Sequence, residues 1–530
     1  MSGPGLDPVL TEVLRNAFAS IAEQMNRTLI RTAHSPVIYE MHDCSVGLFD
    51  RSGLLLGQSS GLPIFLGNLE EGIHVVLRQV GEADLEPGDV FILNDSYLLG
   101  THLSDMTVVA PIFVAGKLVG FSVSRAHWRD VGGKDPGAVK TEDIYQEGLR
   151  LGPTRIVRGG EVVEEILDIL QRNSRTPELL RGDLHAQLSA ASVGERGLAE
   201  LLARYPLETL QAAAEEIFTH SEVLDREAVA AVPDGRYRAE GLLDDDGLGS
   251  EPVRVALAVE ICGDQMFVDL SGSSPQVTGN INCGRAQTIS GCRVAFKMLF
   301  HPDAPVTGGS FRPLHISIPE GSIFDAREPA ACQFYFTPLG LLIDLFTKAL
   351  APVLPERVAA AHFGDSMVVD FVRRRPTPAG GFFLMAEALA GGWGASASRE
   401  GESALINNVN GGFRNMPVEV AEAKFPIRIR RFGLRSGSGG AGRNRGGLGV
   451  VREYEVLEDS VAVTLHLDRS LTPGWGLAGG RDGLGPAAAV MEGSEWRPLA
   501  LKTNLFPLPR GARVRVETGG GGGYGEPEDG

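Results

Sequence analysis

Apolar residues recur at helical spacing along the first part of the chain. Between Asp7 and Arg31 they return every three or four positions, which predicts an amphipathic helix. Asp7 can cap this helix, and Pro8 suits its first turn. The same spacing predicts further helices over residues 67–80, 162–170 and 176–231.

Short runs of β-branched and aromatic residues, separated by turns, predict strands in the rest of the chain. The turn Val232-Pro233-Asp234-Gly235 marks the change from helical to strand-dominated patterns. We therefore predict an N-terminal α+β domain over residues 1–232 and a β-rich C-terminal domain over residues 233–530, with helices at 289–300 and 339–350. The predicted fold class is α+β, with an N-terminal helix, a helical insert and mostly antiparallel sheets.

The most distinctive segment, residues 94–133, carries the pattern His-x-x-Asp twice. The copies are His102/Asp105 and His127/Asp130, and they flank two strand-like runs separated by a break at residues 114–117. This arrangement predicts a β-hairpin. Because facing residues of antiparallel strands share a face, the register decides whether the two copies meet.

The length of the hairpin loop sets that register. A three-residue loop at 115–117 places Asp105 opposite His127 and His102 opposite Asp130. A two-residue turn at Ala115-Gly116 sends His127 to the other face unless a β-bulge restores the register. Metal binding therefore demands an odd-length loop or a bulge.

Two imidazoles and two carboxylates on one face form a candidate site for a divalent metal such as Zn, Mn or Fe. A single His-x-x-Asp would favour polar strand ends that satisfy turns, whereas two copies at the ends of one hairpin favour a metal site. Glu40, His42 and Asp43 stand just before the first predicted strand and offer further ligands. A solvated loop explains these three residues equally well.

Two further motifs carry weaker signals of function. The segment 57–61 matches the G-x-S-x-G of nucleophile elbows, but Leu62-Pro63 follows it and no triad partner stands in a recognisable context. Within the segment 428–451, three of the arginines stand among glycines and could bind an anionic group such as a phosphate, or could simply be exposed hairpin residues. They are Arg435, Arg443 and Arg445. The chain lacks the G-x-x-x-x-G-K-[ST] motif of P-loop ATPases.

Composition narrows the class of protein. Hydrophobic content of 43% and charged content of 22% are ordinary for a globular chain, and the net charge of −18 argues against nucleic acid or an anionic membrane as a partner. Five cysteines without a Cys-x-x-Cys motif indicate a reducing compartment. The first residues do not match a signal peptide, and we expect a cytoplasmic protein without membrane spans.

Long motifs resemble the hydantoinase B/oxoprolinase family, over about Asp7 to Glu526. The motifs are NDSYLLGTHLSDMTVVAPIF, AHWRDVGG, YQEGLRL, VEVAEAKFPIRIRRFGLRSGSGGAGRNRGGLG and GGGGGYGEP. The resemblance implies a B-type subunit of an ATP-dependent enzyme that hydrolyses cyclic amides, as N-methylhydantoinase and 5-oxoprolinase do. It also implies a hetero-oligomer with a hydantoinase A-type partner, an actin-like ATPase that uses ATP to phosphorylate the substrate oxygen.

The resemblance further implies roles for particular residues. A divalent metal is expected at His102, Asp105 and His127, with Asp43 as the fourth ligand and Glu40 as its rival. His127 and Asp130 are the expected catalytic residues, with Asp130 as a further ligand, an orienting group or the general base. The residues themselves suggest a further hypothesis, that Arg435, Arg443 and Arg445 hold the phosphate of an activated substrate.

Two alternatives to a cyclic-amide hydrolase are also compatible with the sequence. The family also includes the larger subunits of acetone and acetophenone carboxylases, which implies a ketone carboxylase as one alternative. The other is a non-catalytic scaffold whose metal only fixes the hairpin. Residues 330–344 read AACQFYFTPLGLLID, where many relatives carry a polar stretch with Asn and Thr, and this leaves the substrate open.

Overall fold

A seven-stranded sheet organises the N-terminal half of the protein, which we describe from a computed structural model over residues 6–373 and 380–527. Its strands are β1 (Cys44–Asp50), β2 (Leu55–Gln58), β3 (Val90–Leu93), β4 (Asp105–Val114), β5 (Lys117–His127), β6 (Thr154–Arg158) and β7 (Glu161–Val162). They lie in the order β2-β1-β5-β4-β3-β6-β7, and all neighbours are antiparallel. The predicted hairpin, β4 and β5, therefore lies at the centre of the sheet.

Helices cover both faces of this sheet. They are α1 (Pro8–Thr32), α2 (Pro36–Tyr39), α3 (Pro63–Leu66), α4 (Leu69–Gln79), α5 (Ser96–Leu99), α6 (Glu164–Arg172), α7 (Pro177–Arg204) and α8 (Leu207–Ala230). One face packs against α1, α7 and α8, and the other packs against α4. The helix predicted over 176–231 is two helices, because Pro206 disfavours helical backbone at Tyr205 and starts α8.

A four-stranded sheet begins the C-terminal half. It contains β8 (Gly235–Leu243), β9 (Val253–Cys262), β10 (Gln265–Asp269) and β11 (Leu314–Ser317), and only the β10–β11 pair is parallel among these strands. The helices α9 (Arg285–Leu299) and α10 (Phe336–Leu350) pack on it, and α10 is buried along most of its length, as predicted. This core also includes Leu62, Ile64 and Phe65 from the other side of the predicted domain boundary, so the two-domain division stays a prediction.

Two more sheets complete the described fold. Their elements are β12 (Val368–Arg373), β13 (Phe383–Ala388), α11 (Val418–Lys424), β14 (Ile427–Leu434), β15 (Val450–Val456), β16 (Val461–His466), β17 (Ala487–Glu492), β18 (Glu495–Pro498), β19 (Lys502–Leu508) and β20 (Arg513–Glu517). The strand orders are β13-β12-β16-β19 and β14-β15-β20-β17-β18. Both sheets contribute to one hydrophobic core, and the α+β class with mostly antiparallel sheets is confirmed. None of the described helices is long and apolar enough to cross a membrane.

The turn of the central hairpin differs from the predicted loop. Ala115 and Gly116 form a two-residue turn with φ of 50° and 75°. A bulge at Val119 then restores the register, so that Asp105 faces His127. The pairs on either side of the bulge are Ile112 with Gly120 and Phe113 with Leu118. The predicted three-residue loop was wrong. The β-bulge, which is the other way to give the register that metal binding requires, is present.

The glycine-rich C-terminal segment is buried rather than exposed. Residues 519–525 run between three other loops, and their amides donate to carbonyl groups of those loops. Gly521 donates to the Gly447 carbonyl, and Gly522 donates to the Ala361 carbonyl. A Cβ at Gly521 would lie 2.0 Å from the Trp393 carbonyl oxygen. Only glycine fits where backbones approach so closely.

The G-x-S-x-G segment is explained by packing between β2 and α1. A Cβ at Gly57 would lie 2.7 Å from the Phe18 carbonyl carbon and 2.9 Å from the Ala19 nitrogen. The Ser59 hydroxyl donates to Glu23 Oε2 at 2.8 Å. These contacts fix α1 against the sheet edge and give Ser59 a structural partner.

We expect Gly57→Ala to lower the free energy of unfolding by about 1–3 kcal/mol, because its new methyl group overlaps helix backbone that can move only with the whole helix. Gly433→Ala is the matched control, since a Cβ at Gly433 meets no described atom within 4 Å. Urea denaturation of both variants measures the difference. Equal stability of the two variants would show that α1 is not seated against Gly57.

Candidate metal centre

Three potential ligand atoms converge at the end of the central hairpin. His102 precedes β4, Asp105 begins β4 and His127 ends β5. His102 Nε2 lies 2.9 Å from Asp105 Oδ1 and 3.1 Å from His127 Nδ1, and the latter two atoms are 3.3 Å apart. The hairpin register therefore brings together the three residues that the sequence singled out.

Neighbouring groups orient two of these ligands. His102 Nδ1 lies 2.9 Å from the Gln333 carbonyl oxygen, which can only accept a hydrogen bond. Nδ1 therefore carries the proton, and Nε2 presents its lone pair to the cluster. The Tyr335 hydroxyl donates to Asp105 Oδ2 at 3.0 Å, which leaves Oδ1 toward the histidines.

Asp43 is the carboxylate that the fold brings to this cluster from the segment before β1. Its Oδ2 lies 3.9 Å from His127 Nδ1, and the His127 amide donates to the Asp43 carbonyl at 3.1 Å. Asp43 Oδ1 is buried without a hydrogen-bond partner in the described part of the chain. Glu40 ends the short helix α2 and is not among the described cavity-lining residues. The geometry thus favours Asp43 over Glu40.

These four residues fit a divalent cation. A lone pair of His102 faces a carboxylate oxygen, and a buried oxygen of Asp43 has no partner, so the cluster requires a cation or protons between its atoms. Two imidazole nitrogens and two carboxylates form a donor set that Zn, Mn and Fe accept.

Burial and mutual charge shift the acidities within the cluster. Burial raises the pKa of Asp43 to about 6, and the Asp105 carboxylate also acts to raise it. Burial alone would raise the pKa of Asp105, but His102 and His127 hold it well below its ordinary value. Burial opposes the charged form of His102, yet Asp105 raises the pKa of His102 above its usual value. The protonation states of Asp43, Asp105 and His102 therefore depend on one another at near-neutral pH.

Asp130 occupies a different position from the one predicted. Strand β5 ends at His127, so Asp130 is not paired with His102 across the hairpin, and that predicted pairing was wrong. Asp130 Oδ2 accepts from the Arg175 amide at 2.5 Å, and Oδ1 accepts from Arg175 Nη1 at 2.6 Å. Arg175 also donates to the Gly132 and Gly133 carbonyls. This network fixes the turn that follows His127.

A cavity of roughly 130 Å³ adjoins the cluster. Besides the four candidate ligands and Asp130, its lining includes Arg129, Tyr335 and Asp370, which the sequence did not single out. Glu147 also lines the cavity, as the loop-rich sequence around Glu147-Gly148 indicates for a pocket border. Arg129 stands inside the AHWRDVGG motif, and Asp370 interrupts an apolar strand, so both carried a signal in the sequence. No local signal linked Tyr335 to the hairpin.

Arg435, Arg443 and Arg445 lie among the glycine-rich loops. Arg435 Nη1 donates to the carbonyls of Gly485 and Thr518 at 2.6 and 3.0 Å. The Arg443 amide donates to the Gly525 carbonyl, and the Arg445 carbonyl accepts from the Gly401 amide. None of the three is among the described residues that line the cavity. The structure thus gives the expected phosphate contact no support.

Comparison with known proteins places the chain in a family. Residues 7–527 match the family model described as hydantoinase B/oxoprolinase. The chain belongs to the hydantoinase B/oxoprolinase family. This match confirms the resemblance drawn from the motifs.

Several members and structural neighbours of this family are similar over nearly the whole chain. The ATP-dependent caprolactamase from Pseudomonas jessenii has a solved structure with a TM-score of 0.91 and 30% identity, covering 99% of this chain and 92% of that one. The chain is 30% identical to 5-oxoprolinase 1 of Arabidopsis thaliana over 98% of its own length and 42% of that protein. An acetone carboxylase structure has a TM-score of 0.90 at 19% identity, covering 98% of this chain and 76% of that one, and shows a shared fold.

Metal analysis of the purified chain tests the site. We expect about one divalent ion per chain in the wild type and a large loss in His127→Ala, because the variant removes a ligand. His315→Ala is the control, since His315 lies on the exposed strand β11, away from the cluster. Elemental analysis with circular dichroism as a folding check gives the measurement. Equal metal content in both variants would contradict the site.

Lowering the pH below about 6 should weaken binding of the ion. Protons compete at Asp43, whose pKa is about 6, and at His102, whose pKa is raised, whereas Asp105 stays ionised. Equilibrium dialysis from about pH 8 to about pH 5 measures the bound metal, with folding checked at each step. Undiminished metal content at the acid end would contradict the assignment of these two ligands.

Proposed function

We propose that the chain is the metal-dependent B-type subunit of an ATP-dependent cyclic-amide hydrolase. The observation that carries the proposal is the cluster of His102, Asp105 and His127, with Asp43 beside it, at the wall of a small cavity. Drug-sized pockets measure about 300–1,000 Å³, so a cavity of roughly 130 Å³ suits a much smaller ring. The similarity to an ATP-dependent caprolactamase supports a lactam-type bond as the target.

His102, Asp105, His127 and Asp43 would hold the ion. When bound, a divalent ion supplies a water of lowered pKa and a Lewis acid for the substrate oxygen. The Gln333 carbonyl keeps His102 in the tautomer that presents Nε2, and Tyr335 keeps Asp105 Oδ1 turned toward the histidines. These contacts fix the ligand geometry before any substrate arrives.

We assign the proton-accepting role to Asp43 rather than to Asp130. Both oxygens of Asp130 already accept hydrogen bonds from Arg175, and this carboxylate holds the turn after His127. Asp43 Oδ2 lies nearest His127 and would hold the ion, whereas Asp43 Oδ1 has no partner among the described residues. Asp43 Oδ1 therefore remains free to accept the proton of a neighbouring water.

Hydrolysis requires activation that this chain does not supply. An unstrained amide is a poor electrophile, and phosphorylation of its oxygen makes the ring carbon electrophilic. Water adds to that carbon, the C–N bond breaks as the nitrogen takes up a proton, and hydrolysis of the resulting acyl phosphate releases phosphate and the carboxylate. We assign the ATP-dependent phosphorylation to a hydantoinase A-type, actin-like ATPase that joins this chain in a hetero-oligomer. The caprolactamase relative is divided into subunits, and its beta subunit is 31% identical to this chain. All five cysteines are free, which suits a cytoplasmic complex.

Reconstitution tests the proposal. We expect the chain, an A-type subunit and MgATP together to open hydantoin or caprolactam, with no turnover when ATP is left out. Asp43→Asn should lower turnover by at least about 100-fold, the scale of a lost general base. Glu40→Gln is the matched control, because Glu40 stands three residues earlier and outside the described cavity lining.

Other outcomes would contradict the proposal in distinct ways. Consumption of a ketone that depends on bicarbonate, with no ring opening, would identify a carboxylase subunit. Full ring opening by Asp43→Asn or by a metal-free complex would leave this chain as a scaffold. Loss of turnover in Glu40→Gln but not in Asp43→Asn would exchange the two roles.

A further inference from the structure

One wall of the cavity is a strand face that is apolar except for a single carboxylate. Strands β12 and β13 pair so that Val368 faces Ala388, Asp370 faces Ala386, and Val372 faces Leu384. Five side chains of this face line the cavity, and only Asp370 among them is charged. They are Val368, Asp370, Leu384, Ala386 and Ala388. A carboxylate in an apolar wall is costly to bury, so it calls for a role beyond packing.

Asp370 is buried beside backbone that leaves room for its carboxylate. The residue is only 3% exposed, and its Oδ1 has no hydrogen-bond partner among the described residues. Its Oδ2 lies against Gly137, where a Cβ would approach that oxygen to 2.5 Å. Gly137 has a φ of 79°, a conformation that favours glycine. The backbone on that side is therefore shaped to make room for the carboxylate.

Arg129 brings the opposite charge to the same cavity from the N-terminal sheet. It follows His127 by two residues, is 6% exposed and lies with its Cζ 5.7 Å from the Phe425 ring. Its Nη1 is buried without a hydrogen-bond partner in the residues described. Asp370 is one of the acids whose charge acts on Arg129. The side chains that line the cavity thus include a hydrogen-bond donor, Arg129 Nη1, and an acceptor, Asp370 Oδ1, of opposite charge. Neither atom has a partner among the described residues.

We infer that Arg129 and Asp370 form a substrate-recognition pair beside the candidate metal centre. Arg129 Nη1 donates to a carbonyl oxygen of the ring, and Asp370 Oδ1 accepts from a ring N–H. The pair therefore selects cyclic ureides and imides, which carry a carbonyl and an N–H beyond the amide that is opened. This inference rests on the proposed function and specifies its substrate class.

The balance of charge at the pair separates three kinds of ring. A simple lactam offers the reacting amide and hydrocarbon, so both polar side chains would stay unpartnered, which costs affinity. A lactam that bears a carboxylate gains Arg129 but meets repulsion from Asp370. A neutral ureide satisfies both groups at once. Sites built around such polar pairs reject analogues that lack the matching groups.

Binding of three five-membered rings to the purified full-length chain tests the inference. The probes are hydantoin, 2-pyrrolidinone and 5-oxoproline, measured by calorimetry with the metal content of each sample recorded. We expect hydantoin to bind at least about tenfold more tightly than either of the other rings, a difference of about 1.4 kcal/mol. Equal affinity for hydantoin and 2-pyrrolidinone, or no hydantoin binding, would overturn the inference.

Variants of the pair provide the second comparison. Asp370→Asn and Arg129→Met should each remove most of the preference for hydantoin by weakening hydantoin binding about tenfold, because each variant takes away one hydrogen-bond partner of the ring. Asp365→Asn is the matched control, because Asp365 is likewise a buried carboxylate but bonds Thr337 and is absent from the described cavity lining. If Arg129→Met does not fold, Asp370→Asn alone decides the comparison. A preference that survives in the folded variants would overturn the inference.

Failure of the inference can be told apart from failure of the proposed function. A chain that binds metal and opens rings with its partner, but treats hydantoin and 2-pyrrolidinone alike, refutes only the recognition pair. A chain without metal, or without ATP-dependent ring opening, refutes the proposed function. Selective binding of hydantoin in that second case would still leave the pair intact as a ureide-binding site.

Discussion

The candidate site depends on the register of one antiparallel pair of strands. Asp105 and His127 share a face only because the tight turn at Ala115-Gly116 is followed by a bulge at Val119. A shift of one residue would send His127 to the opposite face, since side chains alternate along a strand. The central position of this pair in a seven-stranded sheet, with helices on both faces, makes such a shift costly.

A second constraint comes from the C-terminal half, which supplies the groups that orient the ligands. The Gln333 carbonyl and the Tyr335 hydroxyl contact His102 and Asp105 from the segment before α10. Glu147 holds that segment by accepting hydrogen bonds from the Cys332 and Gln333 amides. Burial raises the pKa of Glu147 to about 7, so its ionised form depends on these donors. The site is therefore assembled by contacts between segments about two hundred residues apart.

Charges around the cavity fall into two groups with different roles. Asp130 with Arg175 and Arg435 with Glu517 have charged partners and stabilise loops. Asp43, Arg129 and Asp370 line the cavity, and each retains a buried polar atom without a described partner. Such atoms are uncommon in folded proteins because the desolvation cost is not repaid. Three such atoms on charged side chains that line one cavity are a structural argument for ligand binding there.

The sequence by itself determined most of the helices, the central hairpin and the mostly antiparallel fold, and it singled out His102, Asp105 and His127 as ligands that meet when the hairpin register allows. The tertiary structure supplied that register through the bulge at Val119. Hydrophobic periodicity, turn residues and strand parity are local properties, so these features could be deduced from short segments. Tertiary structure alone decided that Asp43 rather than Glu40 reaches the cluster and that Arg175 engages Asp130. It also placed Arg435, Arg443 and Arg445 among buried glycine loops. It brought Asp370 and Arg129 to the same cavity. These contacts join residues far apart in the chain, and no local pattern encodes which distant backbone or side chain will lie within hydrogen-bonding distance.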